Sequence, residues 1–313
     1  MTQHVFTDFE VFSETVRGYD LECRQLAQGK FSATALQVAT DNALLSRLTA
    51  NLALEAEGSP PPGMITVGIP TAECRPFIWR HQKTNANTLQ FYRPETELLV
   101  NTSGAFDAID LSFTETHLLQ VAEKLQLYDA YQSFKHGRMV EITNDEQQEL
   151  RQISQRLVGL ALTRHSTGNE SDMVHMIEFT LPGTLLRIMD KPTATARGGR
   201  HSNSLDAFKR ARSYIHSQDD ENITVSDLCN LTHMSDRTLQ KIFVDQCGIT
   251  PKVYIRAVRL SQAHAALLES CPETTSVTDI ANHFGFWHLG QFAADYRAHF
   301  CEQPSDTLVR AKS

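Results

Sequence analysis

The sequence predicts an α+β protein of two domains: a β-rich N-terminal domain that also contains helices, and an all-α C-terminal domain. Three observations predict this class. Short apolar segments separated by turn residues fill residues 30–113, helical periodicity dominates residues 205–313, and a polar segment containing Pro and Gly separates the two at residues 191–204. We therefore expect a first domain at residues 1–190 and a second at residues 205–313, joined by a linker.

Composition narrows the possible classes of protein. The 313 residues are 41% hydrophobic and 21% charged, as in ordinary globular chains. The N-terminus has no basic start followed by an apolar segment, and no apolar run approaches the roughly 20 residues of a membrane helix, so we expect a cytoplasmic protein. The six cysteines form no CxxC pair, which disfavours a disulfide framework or a structural zinc site. We expect no metal and no cofactor.

The first part of the N-terminal domain is predicted to form a small β-barrel or sandwich. Six segments have the length and spacing of short strands. They are Phe31–Val38, Met64–Ile69, Phe77–Trp79, Leu89–Tyr92, Glu97–Val100 and Ala108–Phe113. Segments rich in Pro, Asn and Gly separate them, as expected for turns.

Helical signals follow the predicted strands. Helices are expected over residues 114–125, over 145–163, and over 171–188 with an interruption at Pro182-Gly183. The second of these carries one apolar stripe, formed by Leu150, Ile153, Leu157 and Leu160. The stripe has two interpretations, since it can pack on its own barrel or pair with a second subunit to form a homodimer.

The C-terminal domain contains an internal repeat at an offset of 52 residues. Residues 224–234 (TVSDLCNLTHM) align without gaps on residues 276–286 (SVTDIANHFGF). In each copy a Thr or Ser is followed three residues later by Asp, which is the pattern of a capping box. A tight turn then follows, for which Gly285 supplies the backbone freedom, while His233 occupies the equivalent position in the first copy.

A second helix is predicted after each turn, so each copy is a helix-turn-helix motif, at residues 225–246 and 277–300. In the first copy Leu239, Ile242 and Phe243 share the inner face, and in the second Phe292 and Tyr296 do. The polar residues of the opposite face could read bases in the major groove, because Arg and Gln form bidentate contacts to guanine and adenine.

The two motifs together favour binding of double-stranded DNA over a plain helical hairpin. The helical stretch at residues 251–269 would then set a spacing of about 34 Å, so that the motifs read successive major grooves. Residues 204–313 contain 11 Lys/Arg and 13 Asp/Glu. Because this region is not basic as a whole, phosphate binding must depend on local cations and helix N-termini.

Residues 205–309 resemble the DNA-binding domain of the AraC/XylS family of bacterial transcription regulators. The phrases that carry the resemblance include residues 223–228 (ITVSDL), 234–243 (MSDRTLQKIF), 250–260 (TPKVYIRAVRL) and 284–308. The last of these resembles most the branch that holds the ethanolamine-utilisation regulator and the XylS-type regulators. Cys301 departs from the family, which usually has Gly there, and is expected to strain the final turn.

The resemblance implies a sequence-specific transcription regulator, an activator that contacts RNA polymerase. It also implies which residues face DNA. Thr238 and Arg297 lie on the same polar faces and are added to them, so the candidates are Ser235, Arg237, Thr238, Gln240, Lys241, Leu289, Gly290, Gln291, Ala294 and Arg297. Three of these lack hydrogen-bonding side chains, so the second motif is expected to read shape and thymine methyl groups more than base edges.

For the N-terminal domain the resemblance implies a cupin-like barrel that senses a small-molecule effector. Candidate pocket residues are Phe31, Phe77, Trp79, Phe91 and Tyr92, although aromatic residues at strand spacing are more often part of a core. His81 and His117 are expected to be hydrogen-bonded or exposed histidines rather than ligands. Control by a protein partner instead of a small molecule remains an alternative.

An enzymatic function is not expected, and we assign no catalytic residue. The sequence contains no GxSxG, GxxxxGK[ST], GxGxxG or HExxH motif. An enzyme domain fused to a helix-turn-helix domain is the alternative, for example one with a nucleophilic cysteine. Cys23 and Cys74 lack the Gly-rich turn that would present such a nucleophile.

Overall fold

A computed structural model gives the arrangement of the chain. It describes residues 1–16, 18–71, 73–94, 96–134, 139–162, 169–190, 203–217 and 223–310. The predicted linker at residues 191–204 lies outside this described part, except for its last two residues, which belong to a helix. The division into domains at these boundaries therefore stays a prediction.

The described part of the first 190 residues is β-rich, as predicted. Its strands are β1 (Thr2–Phe6), β2 (Asp20–Gln25), β3 (Ala33–Ala39), β4 (Ala43–Ala50), β5 (Leu54–Ser59), β6 (Met64–Pro70), β7 (Phe77–Trp79), β8 (Gln82–Lys83), β9 (Thr88–Tyr92), β10 (Leu98–Thr102), β11 (Phe106–Thr114) and β12 (Met139–Glu141). Its helices are α1 (Phe9–Thr15), α2 (Glu115–Leu125), α3 (Tyr128–Phe134), α4 (Asn144–Leu162), α5 (Asn169–His175) and α6 (Leu181–Met189).

The strands form two antiparallel sheets. One has the order β1-β3-β4-β11-β6-β9-β12 and the other β2-β5-β10-β7-β8. The first sheet is buried on both faces, since residues that alternate along β6 and β11, such as Ile65, Val67 and Leu111, pack against the helices. Their neighbours along the strand point to the second sheet. This arrangement gives three layers: helices, a seven-stranded sheet and a five-stranded sheet.

All six predicted strands are present, and six further strands form where no strand is predicted: β1, β2, β4, β5, β8 and β12. The segment that forms β5, LEAEGS, has weak strand propensity and contains Glu55, whose carboxylate is completely buried. Hydrogen-bond donors that are distant in the sequence stabilise this buried charge, and a local sequence pattern does not indicate them.

The predicted break in the last N-terminal helix lies earlier than expected. The chain is π-helical at Met176–Thr180, and α6 begins at Leu181 with Pro182 in its first turn. Because proline has no amide hydrogen, it cannot donate to the carbonyl of Glu178. The His117 ring bonds to that carbonyl through Nε2 at 2.8 Å. His117 is therefore a buried, hydrogen-bonded histidine, as predicted.

The apolar stripe of α4 packs within its own chain. Leu150 and Leu157 are fully buried in the layer between α4 and the seven-stranded sheet, and Ile153 and Leu160 pack at its edge. Of the two interpretations, the structure favours packing on the barrel.

The described part of the C-terminal region is helical, as predicted. Its helices are α7 (Asn203–Ser217), α8 (Val225–Thr232), α9 (Asp236–Cys247), α10 (Pro251–Glu269), α11 (Val277–His283), α12 (Leu289–Phe300) and α13 (Pro304–Arg310). Helix α10 has the bounds that the sequence predicts. None of the helices in the described ranges combines the length and apolarity needed to cross a membrane.

A buried charge cluster joins the two regions. The carboxylate of Glu55 accepts hydrogen bonds from Arg24 of its own sheet, from Arg212 of α7 and from the Tyr254 hydroxyl of α10, at 3.0–3.3 Å. Since the single hydroxyl proton of Tyr254 goes to Glu55, His216 Nε2, 2.8 Å from the phenol oxygen, must be the donor in that bond.

Two further contacts join the N-terminal segment to the last helices. Asp8 accepts from His264 Nε2 at 3.1 Å and from Arg310 at 2.6 Å. The side chain of Gln25 donates to the His299 carbonyl at 2.7 Å, and the ring of His299 bonds back to the Gln25 carbonyl at 3.0 Å. Together with the Glu55 cluster, these bonds hold α7, α10, α12 and α13 against the barrel.

Candidate nucleic-acid interface

The first helix-turn-helix unit is built from local hydrogen bonds. Thr224 and Asp227 form the predicted capping box, in which each side chain accepts from the other residue's backbone N–H, at 3.3 and 2.8 Å. Helix α8 ends at Thr232, and its C-cap His233 has a φ of +59°, in the left-handed region. Ser235 then caps α9. Only three residues, 233–235, therefore separate α8 from α9, and the two helices pack against each other.

The second unit repeats this geometry. Ser276 and Asp279 form its capping box, at 3.2 and 3.0 Å, and Gly285 takes the left-handed conformation with φ +76°. Helix α12 differs from α9 because its N-cap, His288, makes no side-chain hydrogen bond to the first turn. The first amide N–H groups of α12 thus have no side-chain acceptor and can bind a phosphate.

The apolar faces of both units are buried as the repeat predicts. Leu228, Leu239 and Phe243 are inaccessible in the first unit. Phe292 and Tyr296 take the same role in the second. Burial of these faces fixes which side of α9 and of α12 is presented to solvent.

All ten predicted DNA-facing residues are exposed to solvent. They are Ser235, Arg237, Thr238, Gln240, Lys241, Leu289, Gly290, Gln291, Ala294 and Arg297. The contacts that hold the barrel against the C-terminal helices involve none of them. Their assignment to DNA remains a prediction, and their exposure makes it geometrically possible.

Acidic residues hold the two glutamines of this surface. The Gln240 amide donates to Asp236 at 3.1 Å, one turn earlier on α9, and the Gln291 amide donates to Asp295 at 2.6 Å, one turn later on α12. Asp295 also forms an ion pair with Arg256 of α10. These bonds are at the surface, where water can replace them, so each glutamine can exchange its carboxylate partner for a base edge.

Helix α10 connects the two units. Its 19 residues span about 28 Å at the usual rise per residue. Tyr254, Val258, Ala263 and Leu267 are buried along its length. A rigid, packed helix of this length can hold two reading helices at a fixed separation.

The predicted effector pocket is only partly assembled. A small cavity of about 50 Å³ lies between the two sheets, and it is lined by Phe77 and Tyr92. Phe31, Trp79 and Phe91 do not line this cavity; they are buried in the cores on either side of the seven-stranded sheet.

Polar residues outside the predicted set also line this cavity. Asp110 accepts a hydrogen bond from the Tyr19 hydroxyl at 3.0 Å, and Gln90 lies beside them. Burial raises the pKa of Asp110 to about 6. The signal was the polar residues that alternate with apolar ones along β9 and β11, inside segments that otherwise read as core.

The two cysteines considered as nucleophiles are buried in this fold. Burial raises the pKa of Cys23 to about 12 and that of Cys74 to about 11, so neither thiol ionises at neutral pH. Within the described ranges, no group of three His, Cys, Asp or Glu side chains could hold a metal ion.

The C-terminal region is similar to proteins that are named as transcription regulators. Residues 228–310 match the family model described as a helix-turn-helix domain. The XylDLEGF operon transcriptional activator of Pseudomonas putida is 41% identical over 106 residues, which are 34% of this chain and 33% of that protein. The XylDLEGF operon transcriptional activator 3 of the same organism is 27% identical over 71% of this chain and 67% of its own length.

Among solved structures, a probable AraC family transcriptional regulator from Rhodopseudomonas palustris is 39% identical over 34% of this chain and 97% of its own, with a TM-score of 0.31. The match at 41% identity to the XylDLEGF operon transcriptional activator spans about a third of that protein's length. The comparisons confirm the predicted family, and they leave the ethanolamine-utilisation branch a prediction.

Proposed function

We propose that this chain, which belongs to the AraC/XylS family of transcription regulators, is a cytoplasmic, sequence-specific transcription activator that binds double-stranded DNA. The observation that carries the proposal is the pair of helix-turn-helix units, each with a capping box and a left-handed turn residue, whose reading faces are exposed. Relatives named as operon transcriptional activators support the same function.

Each reading helix has a distinct part in this function. On α9, Arg237 and Gln240 are the base-reading side chains, and Lys241 is the phosphate contact. On α12, Gln291 is the polar reader, and Leu289 and Ala294 meet thymine methyl groups. The span of α10 brings the two helices onto successive major grooves of one DNA face.

The N-terminal domain serves as the sensor in this proposal. An effector, which we take to be a small molecule, shifts the balance between the packed arrangement of the domains and a second arrangement that RNA polymerase recognises on the promoter. The Glu55 cluster and the Asp8 contact are the structural basis, because they join the barrel directly to the helices that carry the reading surface. Pairing into a homodimer would involve surfaces other than the buried α4 stripe.

Binding to DNA upstream of the chain's own gene tests the proposal. Arg237→Ala and Gln240→Ala are each expected to weaken specific binding by about 1–3 kcal/mol without loss of fold, because both side chains are exposed. Lys241→Ala is expected to lower the slope of log K against log salt by about one unit. Fluorescence anisotropy with operator and scrambled duplexes measures both effects.

Arg156, exposed on α4 and remote in sequence from the reading helices, provides a matched control. Arg156→Ala should leave affinity and salt slope unchanged. Equal affinity of the Arg237 and Gln240 variants for the operator, or binding that does not depend on salt, would refute the assignment of these residues.

A further inference from the structure

A second cavity lies outside the barrel, between α4 and the seven-stranded sheet. Its volume is about 280 Å³. The floor is a row of three neighbouring residues across β4, β11 and β6, in which Arg47 pairs with Ile109 and Ile109 pairs with Ile69. The volume is close to the lower limit of typical small-molecule pockets, so a small ligand would fit.

One face of α4 forms the roof. Arg151, Ser154, Val158 and Leu162 follow one another at spacings of three or four residues, which places them on one side of a helix. This side adjoins the stripe that packs into the core. Val158 is buried and Leu162 is half-exposed at the end of the described helix, so the roof is apolar toward one end of the cavity.

Two hydrogen-bond donors of the roof lack acceptors. The side chain of Ser154 is buried, at 1% exposure, and its Oγ has no hydrogen-bond partner in the described part of the chain. The Nε of Arg151 is likewise buried without a partner among the described residues. Buried donors without acceptors are costly, and both of these residues line the cavity, so an oxygen atom of a ligand can satisfy each donor.

The charges of the cavity favour an anion beside Arg151. The carboxylate of Asp107 is already bound by Arg47 in a bidentate pair, at 3.1 and 2.8 Å. The hydrogen bonding to Asp107 raises the pKa of Arg47, and the negative charge of Glu73, which also lines the cavity, raises it further. Arg47 is thus neutralised by protein carboxylates, whereas Arg151 forms no ion pair in the described ranges.

We propose that this cavity binds a small molecule with one carboxylate and a compact apolar body. The carboxylate accepts hydrogen bonds from Arg151 Nε and Ser154 Oγ, and the apolar body lies against Ile69, Ile109 and Val158. The proposal deepens the sensor role, and its regulatory meaning rests on that proposed function. It places the ligand beneath α4 and not in the space between the two sheets.

Titration calorimetry with the full chain and no DNA tests the site. The probes are cyclohexanecarboxylate, its neutral amide and cyclohexylmethylamine, which share a body and differ in charge. We expect saturable binding of the carboxylate, at least tenfold weaker binding of the amide and no binding of the amine. Arg151→Met should weaken carboxylate binding at least tenfold and Ser154→Ala several-fold, while Arg156→Met, on the exposed side of the same helix, should leave it unchanged.

Gly159 provides a variant that blocks the cavity without weakening the fold. It lines the cavity, and a Cβ added there meets no atom within 4 Å. Gly159→Leu is expected to abolish binding while its Tm stays equal or rises, because leucine favours a helix more than glycine does. That Tm shows whether lost binding reflects a filled cavity or a damaged domain.

Three results would overturn the proposal: no saturable binding of the carboxylate, equal binding of the amide or amine, or carboxylate binding that both Arg151→Met and Gly159→Leu leave intact. Because the titration contains no DNA, such a failure leaves the proposed DNA-binding function standing. Failure of the operator-binding experiment would leave the ligand site standing in turn.

Discussion

Glu55 is the residue whose replacement should affect the contact between the two domains most. Its carboxylate has no solvent exposure, and the two arginine side chains that it binds, Arg24 and Arg212, are only 8% and 11% exposed. Burial alone would lower the pKa of Arg212, but the charge of Glu55 and the hydrogen bonds to Glu55 and Glu57 leave that pKa raised. The guanidinium group of Arg212 is therefore charged, and both arginine side chains bind the Glu55 carboxylate.

Glu55→Gln removes the charge and preserves the shape. The amide oxygen can still accept through its two lone pairs, but the amide NH₂ opposes a donor. Arg24, Arg212 and the Tyr254 hydroxyl then compete for that single oxygen. Breaking a buried ion pair from one side costs about 3–5 kcal/mol. Glu57 still binds Arg212 at 2.5 Å and Glu22 still pairs with Arg24, so we expect the lower end, about 3 kcal/mol.

Urea unfolding and small-angle scattering together measure this effect. The free energy of unfolding should fall by about 3 kcal/mol. The radius of gyration should rise above the value of about 20 Å expected for a compact chain of this length, because three of the groups in the cluster lie on α7 and α10. Glu57→Gln is the matched control, because that carboxylate is 31% exposed and its loss should cost about 1 kcal/mol or less.

The reasoning would be refuted if Glu55→Gln unfolded within 1 kcal/mol of the unchanged protein, on the order of the control, and kept its radius of gyration. The buried carboxylate would then be dispensable to the domain contact. A loss of stability without expansion would mean that Arg24, within the barrel, accounts for the whole effect.

Three further predictions follow from single features of the fold. Cys301→Gly should stabilise the chain by about 1 kcal/mol in urea unfolding, because Cys301 holds a φ of +60° that glycine adopts without strain; an unchanged midpoint would contradict this. Leu157→Ala should cost about 3 kcal/mol and leave the sedimentation coefficient unchanged, since Leu157 is buried in its own domain; a change of oligomeric state at unchanged stability would contradict this. Burial lowers the pKa of His216 to about 3 and that of His299 to about 4, so protons bind the unfolded chain more readily than the folded one. The stability that these neutral rings contribute is therefore present above pH 6.5 and is lost as pH falls from 6.5 toward 4. At pH 5 we expect each histidine to lower the free energy of unfolding by about 2 kcal/mol. His299→Gln should reduce this loss of stability at low pH, and a stability that does not change with pH would contradict the prediction.

The sequence by itself determined the two helix-turn-helix units. Their capping boxes join residues three positions apart, Thr224 with Asp227 and Ser276 with Asp279, and their turns depend on one backbone conformation at His233 and Gly285. Interactions of such short range are encoded in a few consecutive residues. The exposed faces of α9 and α12 could be predicted for the same reason, because helical periodicity alone separates them from the buried faces.

Only the tertiary structure decided how the rest is arranged. The partners of Glu55 lie 31, 157 and 199 residues away, so no local pattern indicates that the strand that carries it is buried. The stripe of α4 was consistent with two partners, because periodicity shows that a face is apolar and does not show what covers it. The cavity beneath α4 also required three strands and a helix to meet, and side chains brought together by folding over long chain separations leave no local pattern in the sequence.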